Sequence, residues 1–262
     1  MTLGEALRRA GIDPREARLL LAAATGFSQS AVLAFPERRL PGESETAFFS
    51  FVARRALGEP IAYILGRKEF YGLELAVDPA VLIPRPETEL LVELALETRF
   101  SAVLDLGTGC GAIALALKRH RPAARVAAVD VSAAALEVAR RNALRLGAQL
   151  ELHQGRWFEP LAGERFDLVV SNPPYVAAGD PHLADLGFEP ACALVAGPDG
   201  LDALRVIARD APRHLVPGGW LLVEHGIGQE HAVRGLLQQA GLEALRSWAD
   251  LSGIARVAGG RR

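Results

Sequence analysis

Three stretches hold residues whose types and spacing could do chemistry: VLDLGTGCGA (103–112), VAAVDVS (126–132) and SNPPYV (171–176). The first places Asp105 at the end of an apolar run, followed by Gly107, Gly109 and Gly111 with Thr108 and Cys110 between them. Glycines there let a backbone turn sharply and approach a ligand closely, and ligands of open parallel sheets bind at the carboxyl ends of strands. A dinucleotide site would use GxGxxG and place a pyrophosphate on the helix N-terminus. Here the spacing is GxGxG, and the carboxylate of Asp105 repels a phosphate while suiting an ammonium group. At the end of the next apolar run Asp130, followed by Val131, is placed to accept hydrogen bonds from a ribose diol. An acid at each position describes S-adenosyl-L-methionine, which joins an amino acid to a ribose and adenine without any phosphate. A third stretch, HQGRWFEPL (153–161), offers Trp157 or Phe158 as a cover for the adenine; ordinary core packing is the competing use of each ring.

Asn172, Pro173, Pro174 and Tyr175 combine a side-chain amide, a rigid backbone and an aromatic face. They follow FDLVV (166–170), which reads as a buried strand that the two prolines stop. This set suits a planar nitrogen as methyl acceptor, in an amide or in the exocyclic amine of a base. The lone pair of such a nitrogen is delocalised, as the roughly 18–20 kcal/mol rotation barrier of an amide indicates. Positive charge builds on it as the methyl leaves a sulfonium, and oxygens accepting from its two N–H groups become charge-assisted partners worth about 1.5–3 kcal/mol each. The side-chain oxygen of Asn172 is one candidate acceptor, which also places Asn172 beside the cofactor; the backbone carbonyl of Pro173 is the other. Tyr175 is placed to hold the planar group in line and to offer its π-face to the developing cation. No strong base is needed, so His182 and His225 are read as structural or loop residues.

Positioning these groups falls to a chain of 262 residues, 50% hydrophobic and 23% charged, enough for one large domain with or without a small one. From residue 101 strands alternate with helices, which means a doubly wound parallel sheet, and residues 242–259 close the chain as two adjoining strands, an antiparallel hairpin at one sheet edge. Residues 2–57 read as three short amphipathic helices, and 69–84 as a two-stranded linker. The expected division is a helical domain over 1–67, a hairpin linker over 68–84 and a catalytic domain over 85–262. Net charge is −2, divided as +1 over residues 1–75 and −3 over the rest, so neither part is a basic nucleic-acid clamp. No apolar run reaches the roughly 18 residues that spanning a bilayer requires, and no signal-type segment opens the chain, so a cytoplasmic protein is expected. Cys110 and Cys192 form neither a CxxC nor a disulfide framework, and no metal is expected. Arginine outnumbers lysine 27 to 2, which either GC-rich coding or a hot habitat produces.

Together these stretches resemble the class I S-adenosylmethionine-dependent methyltransferases, and more narrowly the protein-(glutamine-N5) methyltransferases that modify peptide chain release factors. The resemblance covers nearly the whole chain: PIAYILGRKEFYGLELAVDPAVLIPRPETE (60–89), LDLGTGCGAIALAL, VDVSAAALEVARRNA, RWFEPL, SNPPYV, DPHL with FEP, GGWLLVEHG and DLSGIARV. It implies a Rossmann-like α/β fold with a seven-stranded sheet and a small N-terminal helical domain that grips the substrate. It implies methylation of the glutamine in the Gly-Gly-Gln motif of bacterial class 1 release factors, with S-adenosyl-L-homocysteine as product. Apart from the resemblance, the charge balance leads to an expectation of no direct nucleic-acid contact, and a monomer is expected. Cofactor contacts carry over onto Gly107 to Gly111, Asp130, Trp157 and Asn172, and substrate contacts onto Asn172, Pro173, Pro174 and Tyr175. Arg85 and Glu87 are candidates to line the entrance to the cleft, or equally to serve a helix N-terminus with its own salt bridge. Two departures stand out: Cys110 in the glycine loop, and no basic residue just before FEP. Three alternatives stay open: a ribosomal-protein glutamine as substrate, an adenine-N6 or guanine-N2 nucleic-acid methyltransferase, and a non-catalytic cofactor-binding scaffold.

Overall fold

A computed structural model describes residues 1–262, which divide into two compact units, Met1–Arg67 and Lys68–Arg262. The first unit is built from α1 (Leu3–Arg9), α2 (Pro14–Thr25), α3 (Gln29–Ala34), α4 (Gly42–Ala56) and α5 (Ile61–Leu65). Local chemistry sets the helix starts. Thr2 and Glu5 form a reciprocal capping box on α1, and Asp13 accepts from the Arg15 and Glu16 N–H groups ahead of Pro14 in α2. Gly26 and Gly66 close α2 and α5 in the left-handed conformation. Leu3, Leu20, Leu21, Val32 and Phe48 are fully buried in this unit's core, each contributing roughly 1.5–3 kcal/mol by leaving water. The sequence reading foresaw three helices; α3 and α5, of 6 and 5 residues, are too short to show a period.

A two-stranded ribbon follows, β1 (Arg67–Phe70) and β2 (Leu73–Ala76). Its turn puts both Tyr71 and Gly72 at positive φ, 49° and 73°, as the tight twist of a two-residue hairpin demands. Tyr71 tolerates this because its N–H donates to Glu89 Oε1 at 2.9 Å and its ring meets His120 edge-on at 5.2 Å.

The second unit carries α6 (Glu89–Glu97), β3 (Ala102–Leu106), α7 (Ala112–His120), β4 (Arg125–Asp130), α8 (Ala133–Arg145), β5 (Glu151–Gln154), β6 (Phe166–Ser171), α9 (Asp202–His214), β7 (Leu215–Glu224), α10 (Glu230–Gln239), β8 (Glu243–Ala249) and β9 (Ala255–Arg261). The seven strands β3 to β9 lie in the order β5-β4-β3-β6-β7-β9-β8, parallel except that β9 runs antiparallel to both neighbours. This is the expected doubly wound α/β sheet with its edge hairpin. The hairpin is folded so that β9, the last strand, inserts between β7 and β8. Gly259 and Gly260 permit that insertion, since a Cβ on them would sit 2.6 Å from Leu222 Cδ2 and 2.8 Å from Leu245 Cδ2. Strand order reverses between β3 and β6, and the crevice above their carboxyl ends is where an open α/β sheet binds ligands.

Candidate active site

A cavity of about 400 Å³ opens over the carboxyl ends of β3, β4 and β6, inside the roughly 300–1,000 Å³ range of small-molecule sites. Its floor is the glycine loop. The Gly107 and Thr108 N–H groups both donate to the Val129 carbonyl, at 2.8 and 3.0 Å, tying the loop to β4. The Gly109 N–H donates to Asp130 Oδ2 and the Ser132 N–H to Asp130 Oδ1, each at 2.9 Å, so backbone donors orient both carboxylate oxygens and leave lone pairs for a ligand. Burial pushes the Asp130 carboxyl above its ordinary range. Gly107 and Gly109 take φ of 71° and 56°, and a Cβ on Gly109 would meet nothing within 4 Å. Their conformation, rather than crowding by the protein, therefore selects glycine. Gly111, at φ 85°, adds a packing reason, because its Cβ would lie 3.2 Å from Leu115 Cδ1 and 3.3 Å from Ala139 Cβ.

Of the sequence candidates, Gly107, Gly109, Asp130, Val131, Trp157, Asn172 and Pro174 line this cavity. Asp105, Thr108, Cys110 and Gly111 stand behind its wall. Asp105 is fully buried, accepts from Thr108 Oγ1 at 2.7 Å, and is pushed up to about 7 by its burial. Asp105 thus supports the loop from below through Oδ2, while its Oδ1 is buried and has no partner within the protein. Cys110 is buried, its thiol pushed up to about 12, and its carbonyl accepts from Asn142 Nδ2 at 2.9 Å. Asn142 also accepts from the Ala76 N–H at 2.7 Å and donates to the Ala76 carbonyl at 3.0 Å. Trp157 reaches the cavity from a left-handed backbone, φ 52°, with its Nε1 buried and unpartnered. Phe158 requires a correction: it is 5% exposed and stacks on His214 at 4.5 Å, so the core takes this ring and the cavity takes its neighbour.

The Asn-Pro-Pro-Tyr loop is pinned at both ends. Ser171 Oγ donates to the Leu106 carbonyl at 2.7 Å, fixing β6 to β3. The Tyr175 carbonyl accepts from Gln229 Nε2 at 3.0 Å, and Val176 bridges to Val195. Gly200 is required there, since a Cβ on it would lie 2.2 Å from the Tyr175 carbonyl oxygen. Asn172 Nδ2 donates to Thr88 Oγ1 at 2.9 Å, which selects one orientation of the amide and leaves Oδ1 without a protein partner. Pro173 is buried, and its carbonyl accepts no hydrogen bond within the protein. Tyr175 does not line the cavity; its hydroxyl donates to Glu224 Oε1 at 3.2 Å, and burial and the adjacent Glu224 raise its pKa. Glu224, 1% exposed, is pushed up to about 7 by burial, against the lowering effect of its Thr88 and Tyr175 hydrogen bonds and of Arg256.

Thr88 and Glu224 are the residues that motif reading missed. Both lie within stretches already singled out, IPRPETE and VEHG, but no spacing rule says that the two meet behind Asn172. Arg85 pairs with Glu189 of FEP, whose Oε2 accepts from the Ile83 N–H at 3.0 Å, so it fastens a loop; Glu87 is exposed. Neither lines the cavity. His225 is buried with its pKa lowered by desolvation, His182 is exposed beside Asp180, and both are off the cavity.

Charged lining is confined to Asp130, Arg156 and Asp202, a poor match for a pyrophosphate. A methyltransferase small domain matches residues 86–186, and a PrmC N-terminal domain matches residues 3–66. Among solved structures, a methyltransferase from Pyrococcus furiosus superposes with a TM-score of 0.59 at 20% identity, over 80% of this chain and 96% of that one. The T. thermophilus 16S rRNA N2 G1207 methyltransferase gives 0.58 at 22% identity, over 75% of this chain and 49% of that one. These two establish the fold alone. The release factor glutamine methyltransferase of Xylella fastidiosa is 49% identical over 95% of this chain and 94% of its own length. That of Pseudomonas aeruginosa is 50% identical over 92% and 90%. Likeness of this degree over nearly the full length shows that the chain belongs to the release factor glutamine methyltransferase family.

Proposed function

We propose that this chain transfers a methyl group from S-adenosyl-L-methionine to the side-chain amide N5 of the glutamine in the Gly-Gly-Gln motif of bacterial class 1 release factors. The observation that carries this reading is the fixed amide of Asn172, on the cavity wall with its oxygen unpartnered; the next residue, Pro173, is not a lining residue but its carbonyl is likewise without a protein partner. Two oriented acceptors are what a planar amide nitrogen needs as it becomes cationic. The residues present fit the cofactor. Asp130 keeps lone pairs for a diol, Trp157 offers a ring face with an orphaned N–H, and the glycine loop leaves room for close backbone approach. The cofactor supplies an electrophilic methyl on a sulfonium. Asn172 and Pro173 orient the acceptor amide and stabilise the charge that grows on it; Pro174 and the half-buried Tyr175 hold the loop rigid behind them. The product nitrogen is acidic enough to lose its proton to water, so the reaction requires no strong base.

In this reading the helical unit Met1–Arg67 recognises the release factor, and the protein works in the cytoplasm as a monomer. No helix is long and apolar enough to cross a membrane. Mass spectrometry of a release factor incubated with enzyme and cofactor tests the proposal. One added methyl on the Gly-Gly-Gln glutamine, absent when that glutamine is replaced, is expected. Equal labelling of the replaced protein, or methyl on a ribosomal protein or RNA instead, overturns it.

A further inference from the structure

A second cavity, of about 360 Å³, lies where the end of α6 meets β7, β8 and β9, and it shares no lining residue with the first. It gathers two of the three tryptophans in the chain, Trp220 and Trp248, with Arg99, Arg246 and Arg261. Glu97 is its one acid. None of the three arginines has a carboxylate partner, although Arg85, Arg125 and Arg256 of the same unit are ion-paired; what sets these three apart is that they share one cavity with two indoles. The Arg246 guanidinium lies 5.9 Å from the centre of the Trp220 ring. Arg261 Nε donates to the Gly218 carbonyl at 3.0 Å, which fixes its guanidinium and leaves both terminal nitrogens without protein partners. Glycines make room for these groups: a Cβ on Gly218 would lie 2.9 Å from Arg261 Nη2, and one on Gly259 would lie 3.1 Å from the Trp248 ring.

We propose that this cavity binds a nucleoside monophosphate unit, free or at the end of a single-stranded RNA. An inorganic anion would use the guanidiniums and leave two indoles idle. A purely apolar ligand would use the indoles and leave three unpaired charges. A planar base joined to a phosphate uses both, because guanidinium forks match phosphate oxygens and aromatic rings stack on bases. The sequence predicts no nucleic-acid contact because neither part of the chain is a basic clamp; the three arginines lie in separate stretches. The fold alone collects them, at the scale of one nucleotide rather than of a clamp.

Intrinsic fluorescence tests this, with S-adenosyl-L-homocysteine at saturation so that the first cavity is filled and the Trp157 signal is constant. The full chain is titrated with uridine monophosphate, a 5′-phosphorylated hexauridylate, inorganic phosphate and hexaglutamate. Saturable quenching by the nucleotide or the oligomer is expected, weakening as salt rises, with phosphate alone binding roughly tenfold more weakly or worse. Equal affinities identify the free nucleotide as ligand, and a tighter oligomer identifies RNA. Arg246→Glu and Arg261→Glu each weaken binding roughly tenfold or more, leaving methyl transfer and the circular dichroism spectrum unchanged. The proposal fails if neither nucleotide nor oligomer quenches, if hexaglutamate competes equally well, or if both arginine variants bind as the parent does.

Discussion

Replacing Glu224 by Gln puts the buried carboxyl behind the Asn-Pro-Pro-Tyr loop to a quantitative test. Burial raises this group from 4.5 to about 7 in the folded protein, while in the unfolded chain it titrates at its ordinary value. A group raised in this way contributes stability that is complete below the unfolded pKa. It is lost as pH climbs through the folded one, because the unfolded chain releases its proton first. At 1.36 kcal/mol per tenfold change in proton affinity, the full effect is about 3 kcal/mol, of which about 2–3 kcal/mol falls between pH 5 and pH 8.5. Glutamine cannot ionise, yet it keeps a carbonyl oxygen for the Tyr175 hydroxyl. Any fixed cost of its extra NH2 is the same at both pH values and cancels in the comparison. Asp105, also pushed up to about 7, is present in both proteins and cancels as well. Urea unfolding of the parent and Glu224→Gln at the two pH values should therefore show the variant losing about 2–3 kcal/mol less on going to pH 8.5. Parallel losses in the two proteins would refute the account of Glu224 as a carboxyl that resists ionisation because water cannot reach it.

Thr88→Val removes the acceptor that fixes the Asn172 amide, a bond worth about 1 kcal/mol, so turnover should fall roughly five- to tenfold with cofactor affinity unchanged, and Thr88→Ser should restore it in steady-state assays. Asp130→Asn cannot accept from both the Gly109 and Ser132 N–H groups; calorimetry with S-adenosyl-L-homocysteine should show affinity lower by roughly tenfold to 100-fold. Asn142→Leu strands the Ala76 N–H and carbonyl and the Cys110 carbonyl in the interior, and denaturant unfolding should show a loss of about 3 kcal/mol or more.

Much of this could be read from the sequence wherever local rules govern. Alternating apolar runs announced the sheet, the glycine spacing announced the loop, and Asp130 and Asn172 stand on the cavity because each lies at the carboxyl end of a strand. Local rules fail where two side chains compete for one environment. Trp157 and Phe158 are equivalent in a one-dimensional reading, and only the fold shows that Phe158 packs into the core against His214 while Trp157 lines the cavity. They fail again where a partner comes from far along the chain. Thr88 reaches Asn172 across 84 positions, and Tyr175 reaches Glu224 across 49. The position of Asp105 at a strand end is legible in the sequence, but its complete burial and its bond from Thr108 Oγ1 depend on the packing around the loop.

The three hydrogen bonds of Asn142 have a consequence beyond stability. The ribbon strand they hold at Ala76 runs on into Ala80, Val81 and Leu82, which form one side of the cavity, and the carbonyl they hold at Cys110 belongs to the loop that forms the floor. One amide, itself out of reach of any ligand, therefore acts as a gauge block between two walls. A change of one carbon there, as in Asn142→Gln, is therefore expected to shift the spacing of the two walls although no residue lining the cavity has been altered.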